Sequence, residues 1–166
     1  MSLKVKAIVA MDEGRAIGLN NDLLWHIPED MKRFKELTSG DAVLMGRKTY
    51  ESLPEKFRPL PNRKNIICTR DVSRWQDEAG VDIANNSLDY IEKAKRGECE
   101  LESDSLWIIG GAQIYKETLP LWDELFLTLV HKKHDGDAFF PEFESEFELV
   151  SEEAHEGFSF LHYTKK

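Results

Sequence analysis

Ala42-Val43-Leu44-Met45-Gly46-Arg47-Lys48-Thr49-Tyr50-Glu51-Ser52-Leu53-Pro54 joins a short apolar run to a polar segment that ends at a proline. The run 42–45 predicts a strand and 47–53 a short helix, stopped by Pro54 because proline cannot extend the helical ladder. Upstream, residues 3–11 alternate and then run apolar, as a strand entering a buried sheet does. Pro28 in a first helical position, followed by Glu29 and Asp30, predicts a helix to about Thr38, stopped by Gly40. Downstream, strands are expected at 64–69, 81–84 and 106–109. Helices are expected at 87–95, before Gly97, and at 112–119, before Pro120. A long strand over 124–134 and two more over 146–152 and 157–164 follow with no helix between them. Strand–helix alternation predicts an α/β fold with a mostly parallel central sheet of about eight strands and flanking helices on both faces. The last strands predict a C-terminal antiparallel hairpin at its edge. Without repeat, low-complexity tract or linker, a single domain over 1–166 is expected.

A chain of 166 residues can bury a substantial core without metal or disulfide support. Its 41% hydrophobic and 32% charged residues are those of an ordinary soluble globular protein. The longest apolar runs are strand-sized, too short to span a membrane, and Met1–Lys6 lacks a signal-peptide layout. Two cysteines, Cys68 closing an apolar run and Cys99, suit a reducing cytoplasm; nothing argues against a monomer. With 22 basic and 31 acidic residues the net charge is −9, which disfavours nucleic acid or an anionic membrane as partner. Many acids fall in 142–156, read as a solvated surface. An anionic ligand therefore needs a local exception, and the placement of arginines becomes informative.

The stretch 12–25, rich in Gly14, Gly18, Asn20, Asn21 and Asp22, reads as a long connection without regular structure. Such a connection inside a compact domain is usually functional or disordered. At about 100° per residue, Ile27, Met31, Phe34, Leu37 and the Thr38 methyl form one apolar stripe of the first helix, with Asp30 inside it. Two readings are open. Asp30 complements the helix dipole or pairs with Arg33 one turn on; or it is a ligand carboxylate in a partly apolar cleft, suited to two adjacent N–H donors. In such a cleft its pKa rises from about 3.9. The long connection ending just before the helix, and Trp25 five residues ahead of the acid, favour the second.

Met45-Gly46-Arg47-Lys48-Thr49 sits where a strand feeds a helix, so Gly46 permits close backbone approach and the free N–H groups favour an anion. A P-loop is excluded by the missing upstream glycine and Gly-Lys-Ser/Thr ending, and a solvated basic turn is the plain alternative. In Trp107-Ile108-Ile109-Gly110-Gly111-Ala112-Gln113-Ile114-Tyr115 the glycine pair lets backbone approach a dinucleotide or serves tight strand–helix packing. It is not the G-x-G-x-x-G fingerprint of a Rossmann domain. Arg58-Pro59-Leu60-Pro61-Asn62-Arg63 stiffens a loop between two guanidinium groups, and Arg63 can pair bidentately with a carboxylate or lie exposed in a turn. His131 and His134, at odd separation on one expected strand, point to opposite faces and suggest no metal. Asp135-Gly136-Asp137 lacks EF-hand spacing. Ser105, Cys99 and the histidines form no evident nucleophile set, and Trp75, Trp107 and Trp122 read as packing residues.

Ala16-Ile17-Gly18-Leu19-Asn20-Asn21-Asp22-Leu23-Leu24-Trp25-His26-Ile27-Pro28-Glu29-Asp30, continued by Phe34-Lys35 and Thr38, resembles the active-site loop and first helix of the dihydrofolate reductases. The similarity runs in order along essentially the whole chain. It implies NADPH-dependent reduction of 7,8-dihydrofolate to 5,6,7,8-tetrahydrofolate by hydride transfer, with carboxylate-promoted protonation of the pterin. It further implies that Asp30 anchors the pterin, that Thr128 hydrogen-bonds to it, and that Trp25 helps to hold a water there. Ile17 and Leu23 would close over the site, with Tyr115 beside the nicotinamide. Ile8, Val9, Met31, Phe34, Lys35, Leu53 and Leu60 would line the substrate pocket, and Arg63 would take the glutamate α-carboxylate. NADPH phosphates would meet Gly46, Arg47, Lys48 and Thr49, and the adenosine 2′-phosphate would meet Thr69 and Arg70. The rest of the cofactor would follow Val9, Ala10, Gly18 and Ile109 to Ile114, past a cis peptide between Gly110 and Gly111. Ala112 departs from a frequent third glycine and Gln113 from a frequent arginine, which puts one pyrophosphate contact in doubt. Antifolate inhibitors are expected ligands. Two rivals are a reductase of the same fold acting on a ribosylated pyrimidine, which needs no joint Trp25–Asp30 and Arg63, and a non-catalytic nucleotide-binding module.

Overall fold

Strand β1 (Lys4–Asp12) carries its apolar run into the middle of the sheet, where it pairs in parallel with two neighbours. The structure, a computed structural model, describes residues 3–18, 27–71, 80–99, 101 and 103–166. Along the chain follow β2 (Ala16–Gly18), α1 (Pro28–Thr38), β3 (Ala42–Gly46), α2 (Arg47–Ser52), β4 (Lys64–Cys68), β5 (Val81–Ala84) and α3 (Ser87–Lys95). Then come β6 (Ser105–Ile108), α4 (Ala112–Thr118), β7 (Glu124–Val130), β8 (Ala138–Phe139), β9 (Phe147–His155) and β10 (Phe158–Lys165). Eight strands form one sheet in the order β5-β4-β3-β6-β1-β7-β10-β9, in which β10 is antiparallel to both β7 and β9. This is the expected α/β architecture with a C-terminal antiparallel hairpin. The chain winds outward from β1 to β5 and returns to insert β6 between β3 and β1, so the carboxyl ends of β1, β3, β4 and β6 lie side by side.

Alternate residues of the strands feed two apolar layers. On one face Val5, Leu44, Ile66, Ile108 and Leu125 pack with Ile91 of α3 and with Ile114 and Tyr115 of α4. On the other, Ile8, Val43, Met45, Ile67 and Trp107 meet Tyr50 of α2 and the half-buried Phe34 and Leu37 of α1. Helix α1 starts at Pro28 after an extended Ile27, as the sequence predicts, and ends when the Ser39 amide returns to the Lys35 carbonyl.

Four expectations are corrected. Residues 12–25 are not wholly irregular, because β2 pairs antiparallel with β8, itself unforeseen. The long strand 124–134 stops at Val130, after which the Lys132 amide turns back onto the Val130 carbonyl and the Lys132 carbonyl accepts from the Glu13 amide. His131 and His134 therefore do not share a strand. Met31, assigned to the apolar stripe, is 60% exposed, and Thr38 is the one buried residue of α1. Asp30, Phe34, Leu37 and Thr38 face the sheet, while Met31 turns outward.

Candidate active site

Asp30 sits on α1 above the point where β1 and β7 pair, since Ala10 and Thr128 are register partners. The Thr128 hydroxyl, 2% exposed, donates to Asp30 Oδ1 at 2.5 Å. Burial pushes the Asp30 carboxyl above its ordinary value, against the Thr128 hydrogen bond and the charge of Arg33, both of which lower it. Of the two readings of this acid, the ion pair with Arg33 is not formed. The guanidinium lies instead over the Phe160 ring, 4.2 Å from its centroid. Tyr115, on α4, lies across β1 from this side. Its hydroxyl donates to the Ile8 carbonyl at 2.7 Å, and burial, then the Asp30 charge, raises its pKa. A carboxylate kept partly dry, with one oxygen occupied by a hydroxyl, can still accept N–H donors or hold a proton.

Away from Asp30, an apolar layer follows α1. Phe34, Leu37, Leu53 and Leu60 belong to the same layer as Ile8 and Met45. Arg63 borders it: Nη1 donates to Thr38 Oγ1 at 3.0 Å, Nε to the Pro61 carbonyl at 2.9 Å, and the guanidinium lies 5.8 Å from the centroid of the Phe34 ring. Arg63 thus lies at the C-terminal end of α1, and Asp30 in its first turn. Buried Asn65 holds this loop by accepting from the Leu60 amide and donating to the Leu60 and Arg63 carbonyls. Lys35 is exposed on α1.

The two glycine turns meet. The Gly46 amide donates to the Gly110 carbonyl at 2.8 Å, joining the ends of β3 and β6. The Gly110–Gly111 peptide is cis, as the resemblance implied. Gly110 has φ +115, and a Cβ there would come within 3.2 Å of the Tyr115 ring. A Cβ on Gly111 would lie 3.3 Å from Thr49 Oγ1, and one on Gly46 would lie 3.2 Å from Ile114. Bare backbone therefore lines this crossing, followed by the starts of α2 and α4. Arg47, in an i,i+4 ion pair with Glu51, and exposed Lys48 begin α2. Thr69 and exposed Arg70 follow the adjacent β4, with the Thr69 hydroxyl accepting from the Asp71 amide. Gln113 is exposed and bonded to Glu117. Backbone amides, hydroxyls and cations thus gather at one sheet end of a chain of net charge −9, the donor set that fits a phosphate-bearing nicotinamide dinucleotide.

Trp25 and Leu23 lie outside the described residues. Ile17, 8% exposed, and Gly18 lie in β2, and the Gly18 carbonyl accepts from the Asp137 amide. Val9 is buried in β1 beside half-buried Ala10. Among the described residues no cluster could hold a metal ion, and no helix is long and apolar enough to cross a membrane.

Sequence reasoning passed over Asp12. It is fully buried, with Oδ1 accepting from the Gly14 and Ala16 amides and Oδ2 from the His134 amide and facing His134 Nδ1. It pins the start of β2 to the segment before β8. An acid two residues before a glycine is an Asx-turn signal that could have exposed the local half of this arrangement; the His134 half has no local signal.

The family profile described as dihydrofolate reductase matches residues 4–165. The chain is 42% identical over 171 residues to the dihydrofolate reductase of Bacillus subtilis, covering 98% of this chain and 95% of that one. It is 38% identical to the dihydrofolate reductase of Neisseria gonorrhoeae, with 99% of each covered. With the type 3 dihydrofolate reductase of Salmonella typhimurium it shares 40% over 84% of this chain and 79% of the other.

Proposed function

The chain belongs to the dihydrofolate reductase family, oxidoreductases whose general activity is reduction of dihydrofolate with a nicotinamide cofactor, and from that premise we propose how its own residues do so. The substrate is 7,8-dihydrofolate, the product 5,6,7,8-tetrahydrofolate and the cofactor NADPH, which supplies the hydride when bound. The carrying observation is Asp30, held by Thr128 in the first turn of α1, with an apolar layer along the helix and Arg63 at its C-terminal end.

Asp30 accepts the amidine N–H groups of the pterin and promotes protonation of the ring nitrogen next to the reacting carbon, directly or through a water. Its raised pKa suits this, because a carboxyl that retains its proton nearer neutrality can give one up. Thr128 fixes which oxygen faces the ligand. Ile8, Val9, Met31, Phe34, Lys35, Leu53 and Leu60 border the substrate, and Arg63 takes its glutamate α-carboxylate through a bidentate pair. Gly46, Arg47, Lys48 and Thr49 hold the cofactor phosphates beside Gly110, Gly111, Ala112, Gln113 and Ile114. Thr69 and Arg70 hold a 2′-phosphate, which favours NADPH over NADH. Ala10, Ile17, Gly18, Ile109 and Tyr115 border the nicotinamide. Antifolates occupy the same site.

A single domain over 1–166, monomeric and cytoplasmic, completes the proposal. Cys68 and Cys99 are free, and burial pushes the Cys68 thiol up to about 12. The edge strand β9 is exposed and carries Glu148, Glu152 and Glu153, charges that discourage strand pairing between copies. The test is NADPH consumption with and without dihydrofolate, with Asp30→Asn as control. Dihydrofolate-dependent oxidation by the wild type and its loss in the variant are expected. A folded wild type without turnover would refute the proposal.

A further inference from the structure

Helix α1 sets Asp30 and Arg33 one turn apart, while β7 and β10 set their partners side by side. Thr128 and Phe160 are direct cross-strand partners. Asp30 takes the hydroxyl of the first. The Arg33 guanidinium lies 4.2 Å from the ring centroid of the second and 5.8 Å from that of Phe126, two residues before Thr128 on the same strand. A guanidinium within about 6 Å of a ring centroid is attracted by the ring quadrupole. Two rings therefore hold this cation in place, and its half-buried position leaves its charge less screened than that of a surface arginine.

Resting on the reading of Asp30 as the pterin's anchor, we propose that Arg33 is a positioning residue of the reaction: Phe160 and Phe126 hold its charge beside Asp30 and thereby set the pH range over which that carboxylate serves the substrate. Through-space attraction suits this role better than a contact ion pair. A bonded guanidinium would occupy the oxygens that the ligand needs, whereas one parked on aromatic rings stabilises the anion and leaves them free. Burial raises the Asp30 pKa and is the largest influence, and the Thr128 hydroxyl and the Arg33 charge oppose it. Among the described residues, Tyr115 feels the Asp30 charge from α4, and Glu153 on β9 attracts Arg33 in competition with Asp30. His155 is hydrogen-bonded to Glu153 at 2.7 Å.

The experiment is the pH profile of dihydrofolate-dependent NADPH oxidation by the full chain at low ionic strength. Wild type is compared with Arg33→Met, Arg33→Lys and Glu153→Gln, with Asp30→Asn alongside. Methionine keeps an apolar stem on the rings and removes the charge, so the midpoint should rise by about half a unit to one unit. Lysine should restore a midpoint near that of wild type. Glu153→Gln, on an exposed strand, should lower it slightly by freeing Arg33 from its second acid. A merely structural Arg33 would lower Tm and leave the midpoint where it was. An unmoved midpoint in Arg33→Met overturns the proposal, and so does an unmoved or raised midpoint in Glu153→Gln should the methionine variant not fold. An Asp30→Asn enzyme with the wild-type profile would overturn the reading of Asp30 and this inference with it. An Asp30-dependent profile indifferent to Arg33 would overturn this inference alone.

Discussion

Thr128 donates its hydroxyl hydrogen to Asp30 across 98 residues of chain, from a strand at the middle of the sheet to the first turn of α1. The bond favours the ionised carboxylate, while burial favours the neutral one. Thr128→Val keeps the shape and removes the donor. The activity midpoint should move to higher pH, and stability at neutral pH should fall by about 1–3 kcal/mol. Urea unfolding and a pH–rate profile read both; an unchanged profile would mean that Thr128 only packs.

Asp30→Asn should trade activity for stability. Because burial raises the folded pKa of Asp30 above its ordinary unfolded value, its contribution to stability is fully present below that unfolded value and is lost as pH rises through the folded pKa. The asparagine variant escapes this loss. It should be more stable than wild type at neutral pH, with the difference closing in acid, while turnover at neutral pH falls about 10²–10⁴-fold. Thermal unfolding at both pH values is the check, and a variant less stable than wild type at neutral pH would contradict the sign.

Arg63 reaches Thr38 with one guanidinium nitrogen and the Pro61 carbonyl with another. Lysine cannot reproduce that fork. Arg63→Lys should raise KM for the glutamylated substrate about tenfold, with little change in kcat, because the pair acts equally in ground and transition states. An unchanged KM would remove Arg63 from the substrate site.

Gly110→Ala meets two obstacles, a φ of +115 and a Tyr115 ring 3.2 Å from the new Cβ. Tyr115 must shift, which loosens its bond to the Ile8 carbonyl. Destabilisation of about 1–3 kcal/mol and weaker NADPH binding are expected together. Fluorescence titration with NADPH reads the second, and wild-type affinity would dissociate this turn from the cofactor.

Asp12 is an acid whose pH dependence has the opposite sign. Burial is the largest single influence and raises its pKa, but the hydrogen bonds from Ala16, His134 and Gly14 together outweigh it, and the net value is lowered. Its contribution to stability is therefore present above the unfolded value and lost as pH falls through the folded one. Asp12→Ala should cost about 3 kcal/mol at neutral pH and progressively less in acid. Denaturation series at several pH values decide it, and a cost independent of pH would rule out an ionised anchor.

Local chemistry made much of this legible. Pro28 and Gly40 bracket α1, and apolar runs of four or five residues bounded by turn signals mark the strands, because backbone restriction and side-chain periodicity act within a few residues. Asp30, Arg63 and the paired glycines could be singled out because each is a residue type at odds with a plain helix, turn or strand end. Tertiary structure decided what distant partners decide. The two-residue β8 has no periodicity to read and exists because β2 lies beside it. Strand β7 stops at Val130, and the Lys132 carbonyl just beyond it accepts from the distant Glu13 amide. Met31 is exposed because α1 turns Asp30, Phe34, Leu37 and Thr38 toward the sheet and Met31 away from it. The sequence alone left Arg33 as a partner for Asp30. Only the arrival of Phe160 and Phe126 on neighbouring strands determined that its charge rests on their rings.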